Sequence, residues 1–237
     1  MLIFAHRGAS GHAPENTLSA IELALSLPIY GVEIDVFEVD GEYIVFHDRW
    51  LTRITGEHKR LDQLSVDALL QLPAGIYQQQ TQHIPRLSDV LALDFSQHRL
   101  NIELKTIGNL AHFHDYVKQH QNPQTLPFEH LIVSSFNHDY LSAAKTSFPD
   151  CSLGWLSASA NLRRAEDAQQ IGCDWVSYDI DVISQALVDD VHQRGMKVAV
   201  YTVNETLDMK WLSTMGVDAI FTNYPAEALQ LLNASPA

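Results

Sequence analysis

The chain has 237 residues, 46% of them hydrophobic, and a formal net charge of −14. That size suits one α/β barrel or two small domains, with a sizeable buried core. So acidic a chain excludes nucleic acid as a partner, because it offers no basic stripe to release counterions. No apolar run reaches the ~20 residues of a membrane span, so no stable membrane association is expected. Met1-Leu2-Ile3-Phe4-Ala5 lacks the basic and long apolar regions of a signal peptide and reads as a first strand. Cys151 and Cys173 lack zinc-type spacing, and a reduced, cytoplasmic compartment is expected.

Short apolar runs rich in β-branched and aromatic residues predict strands near residues 2–6, 31–36, 99–105, 130–135, 152–156, 174–178, 197–202 and 218–223. Helical spacing follows most of them. Leu18, Ile21 and Leu25 share one face, as do Leu187, Val188 and Val191, and then Leu207, Trp211 and Leu212. Repeated βα units imply a parallel sheet, and about eight of them in this length suit a closed (β/α)8 TIM barrel. An open doubly wound sheet is the alternative, and no G-x-G-x-x-G or P-loop supports it.

Two features interrupt the alternation. Asp40-Gly41 is a hairpin signal between Val36–Val39 and Tyr43–Phe46. Residues 48–98 then form an insertion of about 50 residues, far longer than the ~2–6 of an ordinary βα loop. They are expected to be an inserted cap subdomain of a single domain over 1–237. Helical patterns run from Leu61 to Leu72 and from Leu87 to Leu93, and Gln78–Gln82 reads as a solvated loop.

Barrel enzymes place their chemistry at the C-terminal ends of the strands. The first strand ends in His6-Arg7-Gly8, the second carries Glu33 and Asp35, and the third barrel strand carries Glu103 and Lys105. Residues two apart on a strand share a face. Three carboxylates converging from adjacent strands make a hard, all-oxygen site for one divalent cation, Mg²⁺ or Ca²⁺, with Mn²⁺ also possible. Salt bridges to Arg7 and Lys105 are the plainer alternative. His47 lies at the end of the returning hairpin strand. A two-residue turn at Asp40-Gly41 puts Ile34 opposite His47 and turns its ring away from the carboxylates. A bulged loop with Gly41 left-handed puts Glu33 opposite His47 instead, and the chemistry favours that register. The other histidines, His12 among them, are read as solvated or structural.

These residues together resemble the glycerophosphodiester phosphodiesterase family. The likeness runs in order through His6-Arg7-Gly8-Ala9-Ser10, Ala13-Pro14-Glu15-Asn16-Thr17, Glu33-Ile34-Asp35-Val36 and Phe46-His47-Asp48. It continues through Leu51-Thr52-Arg53, Ile84-Pro85-Arg86-Leu87, Ile102-Glu103-Leu104-Lys105 and Ser134-Ser135-Phe136-Asn137. It closes on Tyr201-Thr202-Val203-Asn204 and Thr222-Asn223-Tyr224-Pro225. Ile54, Arg86, Tyr201 and Asn223 depart from the commonest residues at their positions. The resemblance implies that Glu33, Asp35 and Glu103 hold the cation and that His6 and His47 are the acid/base pair. It implies that Arg7 and Lys105 contact phosphate, that Phe136 and Asn204 line the glycerol side, and that Glu15 and Asn16 support the first loop. The expected substrate is a small glycerophosphodiester such as glycerophosphocholine, cut to glycerol 3-phosphate and an alcohol. An amidohydrolase-like barrel is the rival enzyme, but it opens with H-x-H where this chain has His6-Arg7-Gly8. A binding protein without catalysis has no chemical need of all five of His6, His47, Glu33, Asp35 and Glu103.

Overall fold

The computed structural model describes residues 1–160, 163 and 165–233. In chain order its first elements are β1 (Leu2–His6), α1 (Leu18–Leu25), β2 (Gly31–Val39), β3 (Glu42–Val45), α2 (Thr52–Thr55) and α3 (Val66–Leu70). Next come β4 (Pro73–Tyr77), β5 (Gln80–His83), α4 (Leu87–Leu91), β6 (Arg99–Thr106), α5 (Leu110–His120), β7 (Leu131–Ser135) and α6 (His138–Ser147). The chain continues as β8 (Ser152–Ser157), α7 (Glu166–Ile171), β9 (Trp175–Asp179), α8 (Gln185–Gln193), β10 (Lys197–Tyr201), α9 (Thr206–Thr214), β11 (Ala219–Thr222) and α10 (Pro225–Asn233).

Eight parallel strands run in the order β1-β11-β10-β9-β8-β7-β6-β2, and pairing of β1 with β2 closes the barrel. The expected TIM barrel is therefore present. Its outer core lies between the strands and the helical ring, with Ile34, Val36, Leu100 and Ile102 packed under α4 and α5. A smaller interior cluster of Phe4, Ile132, Trp175, Ala199, Ala219 and Phe221 fills the barrel axis. Phe4 stacks on Phe221 at 4.9 Å and meets Trp175 edge-on at 6.0 Å.

Helix periodicity located α8, which buries Leu187, Val188 and Val191. In α9 the face differs from the expected one. Met209 and Leu212 are buried, whereas Leu207 and Trp211 are exposed. Methionine fills the core there, and the larger apolar side chains lie outside.

The β2–β3 hairpin corrects the expected register. Val39 pairs with Glu42 and Val36 with Val45, which is the plain two-residue turn and not the bulged one. Asp40 and Gly41 both adopt positive φ, 52° and 78°. That conformation is the type I′ turn whose twist matches the flanking strands. The irregularity falls instead between Val36 and Phe37, where the pairing of β2 with β6 shifts. The ladder with β3 ends at Val45, although Phe46 N still bonds Asp35 O at 3.0 Å. The chain then bends at His47, so the strand register does not dictate where its ring goes.

The segment after the hairpin has its own core. Leu51, Leu61, Leu69, Ala74 and Ile84 pack on Phe37, Val39, Ile44 and Phe46 of the hairpin. Leu87, Val90 and Leu91 of α4 belong to the main barrel core instead. The Gln78–Gln82 tract is more ordered than the solvated loop expected. Gln78 and Gln79 turn with positive φ, and Gln80–His83 is strand β5, paired with β4. That hairpin touches α1: Ser19 Oγ donates to Gln82 Oε1 at 2.5 Å.

Candidate active site

The loop after β1 is tightly built. Arg7 and Asn16 take positive φ, 57° and 55°. Between them Gly8 at 77° packs so closely that a Cβ there would meet the Ala20 backbone at 2.5 Å. Arg7 N donates to Glu33 Oε2 at 2.9 Å, which ties this loop to β2.

Parallel pairing sets the layers of the site. His6 lies beside Glu33, and Asp35 beside Glu103. The three carboxylates are buried, and each offers an oxygen within 4.8 Å of the others'. Glu33 Oε1 is buried with no hydrogen-bond partner. Burial, then Asp35 and Glu103, raise the Glu33 pKa well above its usual value. Burial, then Asp35, push Glu103 up to about 7. Burial would also raise Asp35, but Lys105 and then Arg7 outweigh it and hold that carboxylate below its usual range. Three crowded carboxylates with an orphaned oxygen and two raised pKa values are what a hard divalent cation relieves. The donor set therefore fits the expected ion.

Lys105 Nζ sits 3.0 Å from Asp35 Oδ1 and 2.5 Å from Glu103 Oε1. Arg7 Nε is 3.2 Å from Asp35 Oδ2, and Arg7 Nη1 donates to Glu15 Oε1 at 2.8 Å. Both cations thus line the carboxylate cluster. Asn16 supports it too: Nδ2 donates to Asp35 Oδ2 at 2.9 Å, and Oδ1 accepts from Asp35 N at 3.3 Å.

His6 Nδ1 is 2.8 Å from Asn223 Oδ1, and its Nε2 is 4.0 Å from Glu33 Oε2. An amide oxygen only accepts, so Nδ1 carries the ring hydrogen and Nε2 keeps a free lone pair. Burial, with the Arg7 charge adding to it, pushes His6 down to about 4. Asn204 Oδ1 accepts from Asn223 N at 2.9 Å, so it braces the residue that braces His6.

His47 Nδ1 lies 2.6 Å from Asp48 Oδ1, and the charges of Asp35, Lys105 and Arg7 all reach the ring. Burial lowers its pKa, and Asp35 pulls against that shift. Arg53 of α2 ties both halves of the site. Its Nε donates to Asp48 Oδ2 at 2.6 Å, and its other two nitrogens donate to Glu15 at 2.7 and 2.8 Å. Sequence reasoning passed over Asp48, Arg53 and Asn223 as site residues. The position of Asn223 just past the last barrel strand, beside the first, was the available signal.

A small cleft opens beside the carboxylates, lined among others by His6, Glu33, Glu103, Phe136 and Tyr201. Phe136 is 43% exposed at its rim, with Lys105 Nζ 5.9 Å from the ring centre. The arrangement joins a candidate cation site, two histidines on different elements and a small cleft with both polar and aromatic walls, a set suited to phosphoryl chemistry.

The family model for the glycerophosphoryl diester phosphodiesterases matches residues 6–227. A glycerophosphodiester phosphodiesterase of Caldanaerobacter subterraneus subsp. tengcongensis is 30% identical over 98% of this chain and 97% of its own length. One from Bacillus altitudinis is 30% identical over 97% of each. Among solved structures, an Oleispira antarctica phosphodiesterase in complex with the product sn-glycerol-3-phosphate is 31% identical, with a TM-score of 0.88. That match covers 99% of this chain and 97% of the Oleispira chain.

Proposed function

This chain belongs to the glycerophosphoryl diester phosphodiesterase family, and we propose that it hydrolyses glycerophosphodiesters with the help of one divalent cation. Glycerophosphocholine and glycerophosphoethanolamine are the substrates proposed, cut to glycerol 3-phosphate and the alcohol. Such products feed glycerol and phospholipid metabolism. The observation that carries this reading is the buried triad of Glu33, Asp35 and Glu103 beside His6. An anionic diester would be repelled by that triad unless a cation sat between them.

Glu33, Asp35 and Glu103 would hold the ion, with Mg²⁺, Ca²⁺ or Mn²⁺ suited to their oxygens. When bound, it would draw charge from the phosphoryl oxygens and orient the diester. Arg7 and Lys105, already at the edge of the cluster, would add positive charge as those oxygens become more negative. His6 Nε2 takes a proton from the attacking hydroxyl, whether water's or the glycerol's own, and His47 gives one to the departing alcohol. Asn16 and Glu15 hold Asp35 and Arg7 in place. Among the described residues no helix is long and apolar enough to cross a membrane. A cytoplasmic site of action is part of the proposal, supported by two buried cysteines that are both free thiols.

The test is turnover of glycerophosphocholine by purified protein with Mg²⁺, with EDTA, and after metal is restored. Loss in EDTA and recovery with metal is the expected result. Full activity after exhaustive chelation would refute the cation's role, and no turnover under any metal would refute the substrate.

A further inference from the structure

We propose that Tyr201 recognises the glycerol arm of the substrate, its phenolic hydroxyl binding a glycerol hydroxyl across the barrel mouth from the carboxylates. This deepens the function proposed above and rests on it.

Tyr201 ends β10, which is the fourth strand from β6 in either direction around the barrel. It therefore faces the strand of Glu103 across the mouth. Its ring packs with the interior cluster around Phe4 and Phe221 and meets Phe136 edge-on, centroids 5.8 Å apart at 89°. The hydroxyl oxygen is buried and has no hydrogen-bond partner. Burying an unpaired hydroxyl is costly, and nothing in the fold is gained by it, since phenylalanine would fill the same space. Burial, then Asp179 and Glu103, push its pKa up, so the group stays a neutral hydroxyl able to donate and accept. Those are the properties needed to read another hydroxyl.

The position also selects which part of the substrate it meets. A phosphate drawn to Glu33, Asp35 and Glu103 lies on the β2–β6 side, so one ester arm must extend toward β10. The cleft is closed beneath by Asn101, Ser134, Leu156 and Phe221, where Ser134 Oγ donates to Asn101 Oδ1 at 2.8 Å. A cleft floored in this way suits the arm shared by every glycerophosphodiester, with the alcohol that varies left on the solvent side.

Calorimetry with Mg²⁺ present would compare sn-glycerol 3-phosphate with propyl phosphate, which has the same three carbons and no hydroxyls. The wild type should prefer glycerol 3-phosphate, and Tyr201→Phe should cut that preference roughly tenfold, the worth of one hydroxyl pairing. The variant lacks a single oxygen, so its melting temperature should stay near the wild type's. An unchanged preference would overturn the inference. So would a preference that holds while kcat/KM for glycerophosphocholine shifts relative to glycerophosphoethanolamine, since that would put Tyr201 on the alcohol. Turnover of glycerophosphocholine by the wild type, measured alongside, separates failure of this inference from failure of the function beneath it.

Discussion

His6 Nδ1 lies 2.8 Å from Asn223 Oδ1, an uncharged acceptor. His47 Nδ1 lies 2.6 Å from a carboxylate oxygen of Asp48. Both partners orient a ring and favour its charged form, the carboxylate more strongly than the neutral amide. A histidine braced by an amide is suited to wait unprotonated and accept a proton. One braced by a carboxylate is suited to carry a proton and give it up. The two second partners thus differentiate histidines that burial treats alike.

Asn223→Asp should therefore move the acid limb of the pH profile. In the wild type His6 holds a pKa of about 4, so kcat/KM should stay level as pH falls through the range where an ordinary histidine protonates. A carboxylate at position 223 favours the imidazolium, and the limb should rise by roughly 1–3 pH units. Activity at pH 5 relative to pH 8 then falls in the variant. Profiles measured at saturating metal check this, and superimposed profiles would mean that His6 is not the base.

The carboxylate triad gives a pH-dependent link between metal and stability. Glu33 and Glu103 have raised pKa values in the metal-free fold, Glu103 up to about 7. Between the ordinary glutamate value and about 7 the folded chain then binds more protons than the unfolded chain. These two groups stabilise the metal-free protein at low pH, and that contribution is lost as pH rises through 7. A metal must displace the protons, so its affinity should weaken below pH 7. The melting temperature should rise on adding Mg²⁺ or Mn²⁺ more at pH 8 than at pH 6. Glu33→Gln or Glu103→Gln should blunt the rise. An equal rise at both pH values in wild type would contradict the assignment.

The barrel was legible because each strand is a short apolar run, with Glu33 and Asp35 on β2 and Glu103 on β6 standing out within theirs. The pairing of β2 with β3 was not. A bulge would aim His47 at the carboxylates, whereas Asp40 and Gly41 take the two-residue turn that their positive φ angles allow. His47 nears the cluster because the ladder stops before it. The partners of the site were hidden for another reason. Asn223 reaches His6 across 217 residues and only once the barrel closes. Arg53 reaches Glu15 only once the inserted segment folds back over the first loop. In α9 the spacing Leu207–Trp211–Leu212 was a genuine helical signal, but the core took Met209 instead.

Arg53 should act on the reaction without touching the substrate. Its fork holds Asp48, and so His47, while also holding Glu15, and so Arg7. Removing such support typically costs ~10–100-fold in activity or metal affinity. Arg53→Ala should lower kcat by that order. Arg53→Lys should recover little, because one ammonium cannot span both carboxylates as the guanidinium does. A kcat within a factor of two of wild type in Arg53→Ala would show that the network is not needed.

The division of labour between the histidines can be read from the leaving group. Choline departs as a poor alkoxide and needs a proton, whereas p-nitrophenolate leaves readily without one. His47→Ala should then lose far more activity on glycerophosphocholine than on a glycerol p-nitrophenyl phosphodiester. His6→Ala should lose similar factors on both, since the attacking hydroxyl must be deprotonated in either case. General acid or base help is typically worth ~10²–10⁴-fold, large enough to resolve when chemistry limits the rate. The brace geometry predicts this direction, with Asn223 behind the base and Asp48 behind the acid. The reverse pattern would exchange the two roles and would mean that the charge of the bracing residue does not decide which ring holds the proton. Equal losses on both substrates for both variants would remove the split altogether, and a proton shared between the rings would account for the site better.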